Sequence, residues 1–292
     1  MRVVHTAGEL HALHGCVFVP TMGALHAGHA SLVRTAAAHA AAAGASAPPV
    51  VVSVFVNPTQ FAPHEDFSRY PRTLEADVAL AADAGATAVF APAAEEIYPD
   101  GAAAAAREAA QWPLPPAARE PGLEDAVRPG HFGGVCQVVA RLFDLVRPAS
   151  AVFGEKDWQQ MRVVEQMVEA GAGRWPGLRI VRGPTVREPG GLAMSSRNRY
   201  LSPEERSRAL GLKRALEAAA RADGPDAAEA AMRDVLEAHG CSIDYAVVRD
   251  PQSLRPLARP AGPARALVAA RLPSARLIDN APLPGWDSAA SM

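Results

Sequence analysis

A strand–helix–strand pattern near the N-terminus restricts the fold more than any other feature of this chain. A short apolar run from Cys16 to Val19 is followed by backbone breakers and then, from Gly28, by an alanine-rich helical pattern that extends to residue 43. Val50 to Val56 is nearly continuous in β-branched residues, as expected of a strand that is covered on both faces. This spacing predicts a βαβ unit in a parallel sheet.

The two predicted strands end in polar turns. His26 and His29 stand three residues apart at the start of the helix, so both can face one ligand. The free N–H groups and the positive dipole end of a helix attract anions at this point. The second strand leads to Gln60, whose amide can both donate and accept hydrogen bonds. Because ligands bind beyond the carboxyl ends of parallel strands, we expect both turns at one ligand-binding edge.

Two later segments carry further groups suited to an anion. Lys156 opens another predicted helix and shares a face with Gln160. A lysine at this position opposes the helix dipole, so it needs an anion such as phosphate unless it is simply solvated. A long, glycine-rich polar stretch then contains Ser195, Ser196 and Arg197, whose hydroxyls and guanidinium can hold phosphate oxygens.

The rest of the pattern predicts more strands of the same sheet and a change of composition near residue 202. Ser202, Pro203 and Glu205 form a capping box at the start of a helix, and a second helix and three strands follow. The sequence therefore predicts an α/β protein with a Rossmann-like parallel sheet, helices on both faces, and a smaller C-terminal α+β domain. The predicted domains are residues 1–183 and 184–292.

Composition and charge exclude several classes of protein. The 292 residues are 49% hydrophobic, enough for a substantial core, and the net charge of −2 argues against a nucleic-acid partner. Cys16, Cys136 and Cys241 lie far apart, which indicates reduced thiols in a cytoplasmic protein rather than disulfides or a zinc site. We expect no signal peptide, and no apolar run approaches the roughly 20 residues of a membrane span.

Five motifs together give the chain a family resemblance. They are His-x-Gly-His at 26–29, Asn-Pro-x-Gln-Phe at 57–61, Pro-Gly-His-Phe-x-Gly-Val at 129–135, Gly-Glu-Lys-Asp-x-Gln-Gln at 154–160 and Met-Ser-Ser-Arg at 194–197. Through them the chain resembles the pantoate–β-alanine ligase family, within the class I nucleotidyltransferase superfamily. The resemblance covers most of residues 16–205 and, more weakly, the remainder.

The resemblance implies an activity and its ligands. The expected reaction is the ATP-dependent condensation of (R)-pantoate with β-alanine to pantothenate, through a pantoyl-adenylate intermediate, with release of pyrophosphate and AMP. The expected ligands are pantoate, β-alanine, ATP and Mg²⁺, and the expected state is a homodimer in the cytoplasm. Residues 1–183 would bind nucleotide and pantoate, and residues 184–292 would serve as a lid and support the dimer.

The resemblance also implies residue roles. Catalysis is expected from His26, His29, Lys156, Ser195, Ser196 and Arg197, with His29 as the proton donor because imidazole titrates near neutral pH. ATP would be bound by Met22, Gly23, Ala24, Leu25, His26, Ala27, Gly28, His29, Gly154, Glu155, Lys156, Asp157, Val186, Met194, Ser195, Ser196 and Arg197. Pantoate would contact Gln60, Gln160 and Arg128, and Asp77 would bind the metal.

Parts of the chain depart from the family pattern or are hard to interpret. Gly133 and Gln137 replace a larger residue and a threonine, which we expect to loosen the start of a helix or to alter dimer contacts. Residues 100–127, rich in alanine and proline, are interpreted as a flexible or loosely packed surface excursion or a lid.

Two other functions remain open on the sequence alone. Another carboxylate-adenylating or nucleotidyl-transferring enzyme of the same superfamily would keep the ATP loops but not the elements that carry Gln60 and Gln160. An ATP-binding module without turnover would bind ATP and release no pyrophosphate.

Overall fold

A six-stranded parallel sheet forms the centre of the first part of the chain. The computed structural model describes residues 1–62, 65, 67–257 and 262–283. The strands are β1 (Arg2–Val4), β2 (Val17–Thr21), β3 (Val50–Val54), β4 (Ala88–Phe90), β5 (Ser150–Gly154) and β6 (Arg179–Gly183). Their order across the sheet is β1-β4-β3-β2-β5-β6, and every neighbouring pair is parallel. The predicted parallel sheet is confirmed.

Helices connect and follow these strands. In chain order they are α1 (Ala7–Leu10), α2 (Ala27–Ala41), α3 (Leu74–Asp83), α4 (Ala94–Ile97), α5 (Gly101–Ala110), α6 (Glu124–Val127), α7 (His131–Val146), α8 (Trp158–Ala170), α9 (Pro203–Ala219) and α10 (Pro225–Ala238). The chain adds β3 and β4 on one side of β2 and then returns to add β5 and β6 on the other side. The turns after the neighbouring strands β2 and β5 therefore lie at the topological switch point, where α/β sheets bind ligands.

The central strand β2 is covered on both faces. Val17 and Val19 belong to one core cluster with buried residues of α2, whereas the ring of Phe18 meets the ring of Phe143 from α7 edge-on. Successive side chains of a strand point to opposite faces, so this alternation places helices on both sides of the sheet. It explains why the run from Cys16 to Val19 is apolar without interruption.

The segment 100–127, expected to be loose or lid-like, is packed instead. Its alanine run forms α5, in which Ala105 and Ala109 are buried, and Ala117 and Leu123 further along are fully buried. Alanine is the best helix former and has a short side chain, so the helix forms readily and approaches its neighbour closely. The interpretation as a surface excursion was therefore wrong.

Gly133 and Gln137 hold α7 against α5, which corrects the expectation that they loosen the helix. A Cβ atom on Gly133 would overlap the carbonyl oxygen of Ala109, so only glycine permits this approach. Gln137 is fully buried, and its Nε2 donates to the carbonyl oxygen of Ala105 (2.9 Å) and to Oε2 of Glu108 (2.7 Å). The two departures from the family pattern thus contact the same helix.

The C-terminal part is a separate α+β arrangement. Its strands β7 (Ser242–Arg249), β8 (Ala264–Arg271) and β9 (Arg276–Leu283) form an antiparallel sheet in that order. Buried residues of α9 and α10 share one core cluster with this sheet. The predicted capping box is present, because Ser202 Oγ accepts from the Glu205 amide and Glu205 Oε2 accepts from the Ser202 amide.

The chain divides into two compact units. The first contains Met1–Arg119, Glu124–Glu155 and Gln159–Pro184; the second contains Glu120–Leu123, Lys156–Trp158 and the described residues from Thr185 onward. Within the described residues, no helix combines the length and apolar character needed to cross a membrane.

Candidate active site

The two histidines cap the start of α2 reciprocally. His26 is the N-cap residue, and its Nδ1 accepts from the Gly28 amide (3.1 Å), while the His26 amide donates to Nδ1 of His29 (3.3 Å). Both neutral rings therefore carry their hydrogen on Nε2. The rings lie 4.1 Å apart between centroids and are tilted by 34°. Two oriented N–H donors at the positive end of a 15-residue helix suit a phosphate.

A left-handed turn connects β2 to this helix. Gly23 and Ala24 have φ values of 80° and 50°. The Gly23 amide donates to Oγ1 of Thr21 (3.1 Å), and that hydroxyl donates to the carbonyl oxygen of Ser53 in the next strand (2.6 Å). A side chain at Gly23 would press on Val54, so a glycine is required both for the backbone angle and for the space.

Asp77, the predicted metal ligand, lies beneath this turn. Its carboxylate is buried and accepts from the amides of Ala24 and Leu25 and from the hydroxyl of Thr73. Thr73 directly precedes α3, but its hydroxyl donates to Asp77 and does not cap the helix backbone. Among the residues that the structure describes, no group of three or more His, Cys, Asp or Glu could hold a metal ion.

Gln60 is held rigidly in the 3₁₀ turn after β3. Its Oε1 accepts from Nδ2 of Asn57 (3.1 Å), and its Nε2 contacts Sδ of Met22 (3.2 Å), which joins it to the histidine turn. Asn57 is itself buried, donates to the carbonyl oxygen of Gly134 and accepts from the hydroxyl of Tyr98 (2.7 Å). The predicted meeting of Gln60 with the turn after β2 is therefore present.

Arg128, expected to contact substrate, is engaged within the protein. Its Nε and Nη2 donate to the two carboxylate oxygens of Glu65 (2.7 and 2.9 Å), and its Nη1 donates to Nε2 of His131 (2.9 Å). Nδ1 of His131 then donates to the backbone oxygen of Gln60 (3.0 Å). In this structure Arg128 supports the Gln60 turn through His131.

Both groups beside Arg128 have shifted pKa values. Burial raises the pKa of Glu65, but the hydrogen bonds and charge of Arg128 outweigh that effect and hold it at about 2. Burial and, second, the charge of Arg128 lower the pKa of His131 to about 4. At neutral pH the cluster therefore contains a carboxylate, a guanidinium and a neutral imidazole.

Lys156 lies in a 3₁₀ turn (Glu155–Asp157) before α8. The prediction that it shares a helical face with Gln160 was therefore wrong. Its Nζ contacts Oδ1 of Asp157 (2.9 Å). Its backbone oxygen accepts from Nδ2 of Asn280 in β9 (2.8 Å). Gln160 is partly buried in the first turn of α8 and belongs to the first unit.

Contacts within the second unit fix the turn that carries Lys156. The indole of Trp158 donates to the backbone oxygen of Pro251 (2.9 Å), and the guanidinium of Arg265 lies over its ring at 3.3 Å from the centroid. Arg265 also donates to Oδ1 of Asn280. The lysine expected to bind phosphate is thus anchored by the C-terminal sheet.

The predicted second ATP loop also belongs to the second unit. The Met194 amide donates to the backbone oxygen of Val186 (2.9 Å), which closes the loop, and Oγ of Ser195 accepts from the Arg197 amide (3.2 Å) at the start of the turn Ser196–Tyr200. Arg187 forms a two-point ion pair with the buried Asp279. The side chains from 194 to 197 are partly exposed.

The predicted site residues thus divide between the units. Met22 to His29, Gln60, Asp77, Arg128, Gly154, Glu155 and Gln160 belong to the first, and Lys156, Asp157, Val186 and Met194 to Arg197 belong to the second. Sequence reasoning missed Asn57, His131 and Asn280. Asn57 and His131 lie inside motifs that were identified, whereas nothing near Asn280 indicated a role.

The chain is similar to known proteins over almost its whole length. A family model described as pantoate-beta-alanine ligase matches residues 2–282. A pantothenate synthetase of Nocardioides sp. is 51% identical, covering 91% of this chain and 78% of the relative. The Myxococcus xanthus pantothenate synthetase is 48% identical, with coverages of 97% and 94%.

Solved structures are similar as well. A crystal structure of pantothenate synthetase from Thermus thermophilus has a TM-score of 0.85 at 45% identity and covers 96% of this chain and 99% of that one. A pantoate-beta-alanine ligase from Francisella tularensis, complexed with beta-gamma ATP and beta-alanine, has a TM-score of 0.73 at 29% identity, with coverages of 96% and 97%.

Proposed function

The chain belongs to the pantoate–β-alanine ligase family, and on that premise we propose how its residues join pantoate to β-alanine. The enzyme is ATP-dependent. A carboxylate oxygen of pantoate attacks the α-phosphorus of ATP, pyrophosphate leaves, and pantoyl adenylate forms. The amine of β-alanine then attacks the acyl carbon and displaces AMP. No covalent bond to the enzyme is needed, so catalysis consists of positioning and charge stabilisation.

The histidine turn is the observation that carries this proposal. Because Nδ1 of each ring accepts a backbone N–H, His26 and His29 present Nε2–H donors, which bind the phosphates of ATP. Charge that develops on the phosphates in the transition state strengthens these bonds. His29 is the proposed proton donor, and for this it must first take up a proton on Nδ1, because the neutral ring with its hydrogen on Nε2 donates only a hydrogen bond.

The Gln60 turn supplies the pantoate side of the reaction. The Asn57 amide fixes the orientation of the Gln60 amide, so that Gln60, with Gln160, binds the hydroxyls and carboxylate of pantoate. An amide held before the substrate arrives loses little conformational entropy on binding, and it aligns the carboxylate for attack.

Lys156, Ser195, Ser196 and Arg197 bind the triphosphate with cationic and hydroxyl donors. Their anchoring to the C-terminal sheet supports the role of residues 184–292 as a lid. Mg²⁺ is the usual partner of ATP, and among the described residues no cluster of three or more His, Cys, Asp or Glu side chains could hold it. When bound, Mg²⁺ would neutralise charge on the phosphates of ATP, which would supply most of its ligands.

We also propose a homodimer that works in the cytoplasm. All three cysteines are buried and unpaired, which suits a reducing compartment. Sedimentation equilibrium tests the assembly: a mass of two chains supports it, and a mass of one chain at micromolar concentration contradicts it.

Pyrophosphate exchange into ATP tests the first half-reaction, because it needs pantoate and no β-alanine. We expect exchange to depend on pantoate, and His29→Ala or Lys156→Ala to lower its rate by about 10²-fold or more, the order found when one donor to a developing oxyanion is removed. His11→Ala, an exposed histidine outside the site, is the control. Near wild-type exchange in both site variants would refute these roles.

A further inference from the structure

The carboxylate of Asp77 lies buried directly under the turn that leads to the histidines. Oδ1 accepts from the Leu25 amide (2.8 Å) and from Oγ1 of Thr73 (3.1 Å), and Oδ2 accepts from the Ala24 amide (3.1 Å). The residue is 1% exposed. Backbone N–H groups bound to a carboxylate make stronger hydrogen bonds than those bound to a neutral acceptor.

The turn above Asp77 is one that needs support. Ala24 has a φ of 50°, a left-handed conformation that residues with a Cβ atom rarely adopt. Such a conformation persists where the surrounding structure holds it. Asp77 holds the amide of Ala24 and that of Leu25, which directly precedes the helix cap at His26.

The backbone also packs closely on the carboxylate. A Cβ atom at Gly23 would lie 3.0 Å from Oδ2 of Asp77 and 2.9 Å from Cγ1 of Val54. The turn therefore packs directly against the Asp77 carboxylate, with no space for a side chain at Gly23. The position of the turn's backbone depends on the position of this carboxylate.

The same contacts make Asp77 unsuited to bind a metal ion. Both lone pairs of Oδ1 are occupied by Leu25 and Thr73, and one of Oδ2 is occupied by Ala24. Magnesium requires near-octahedral oxygen ligands and usually keeps several waters, which a buried carboxylate beneath a packed turn does not allow.

We propose that Asp77 is a positioning residue that holds the turn before His26 and His29, and that it is not a ligand of Mg²⁺. This role rests on the proposed function, because it acts through the histidines that bind ATP. Removal of the carboxylate frees the amides of Ala24 and Leu25, lets the left-handed turn relax, and moves the imidazoles away from the phosphates.

Two variants test the proposal, with Glu75→Gln as the matched control because Glu75 is an exposed acid in the same helical turn. Asp77→Asn keeps the shape but replaces one acceptor by an amide donor. Thr73→Val removes a donor and leaves the carboxylate in place. In pyrophosphate exchange, we expect Asp77→Asn to lower kcat at least tenfold with an unchanged half-saturating concentration of free Mg²⁺, and Thr73→Val to lower kcat less. Glu75→Gln should match the wild type.

A metal ligand would behave differently. If Asp77 binds Mg²⁺, Asp77→Asn will raise the half-saturating Mg²⁺ concentration at least tenfold, and excess Mg²⁺ will restore kcat. That result would overturn the proposal, and so would an unchanged kcat.

Hydrogen exchange separates this proposal from the function on which it rests. The amides of Ala24 and Leu25 should be protected in the wild type and at least tenfold less protected in Asp77→Asn, whatever the activity. Equal protection in both proteins would refute the positioning role. Absence of pantoate-dependent exchange in the wild type would refute the proposed function alone.

Discussion

At the scale of single residues, the most informative group is a histidine that was not predicted to matter. His131 connects Arg128 to the backbone of Gln60, and these two hydrogen bonds define its neutral form with the hydrogen on Nδ1. Protonation at Nε2 would place a second cation against Arg128, although Glu65 and Glu124 also face the cluster. The imidazole therefore works as a neutral link.

This link predicts a loss of stability in acid. The pKa of His131 is lowered to about 4 in the folded protein, so between pH 6.5 and pH 4 the unfolded state binds a proton that the folded state does not. The free energy of unfolding should fall as pH falls through this range, by on the order of 3 kcal/mol from this group.

The measurement is urea unfolding from pH 7 to pH 4. His131→Gln should show a shallower dependence on pH than the wild type, whereas His11→Gln, which changes an exposed histidine, should follow the wild type. Parallel curves for the wild type and His131→Gln would contradict the account.

The residues of the candidate site were partly predictable. Gln60 and the histidines follow strands, and the rule for parallel sheets places them at one edge. The groups that hold them were not predictable, because Asn57 contacts Gly134 and His131 contacts Gln60 across more than 70 residues of sequence. Such partners become visible only when the chain has folded.

At the scale of elements, the contact between α5 and α7 explains an unusual glycine. Gly133 lies against the carbonyl oxygen of Ala109, which is backbone and cannot rotate away as a side chain can. Gly133→Ala should therefore destabilise the protein by about 1–3 kcal/mol, the usual cost of overpacking, despite the better helix propensity of alanine.

Chemical denaturation checks this expectation. Gly173→Ala is the control, because a Cβ atom there meets no atom within 4 Å. Its stability should stay within about 0.5 kcal/mol of the wild type. A Gly133→Ala protein as stable as the wild type would show that α5 can shift without cost.

Most elements were predictable from periodicity and breakers. The strand before the histidines lies within two residues of its predicted bounds, and the capping box at Ser202 and the three C-terminal strands are present as predicted. The segment 100–127 was misjudged because a run of alanines has no contrast between an apolar and a polar face. The short β1 and α1 carry too few residues to form a pattern.

At the scale of the whole molecule, the division of the site residues was not predictable. The segment Lys156–Trp158 lies between stretches of the first unit, yet its hydrogen bonds to Asn280 and Pro251 anchor it in the second. The four-residue spacing had predicted that Lys156 and Gln160 share one face of a helix, whereas they belong to different units. The membership of this segment in the second unit depends on contacts with Pro251, 93 positions after Trp158, and with Asn280, 124 positions after Lys156.

The central claim is that pantoate is activated as an adenylate, and the path of one oxygen atom tests it most directly. The enzyme is supplied with ATP, β-alanine and pantoate labelled with ¹⁸O in its carboxylate, and the products are analysed by mass spectrometry. Attack on the α-phosphorus transfers one labelled oxygen to AMP and none to pyrophosphate. Labelled AMP with unlabelled pyrophosphate is the predicted result. Unlabelled AMP, or label in inorganic phosphate formed together with ADP, would contradict the account.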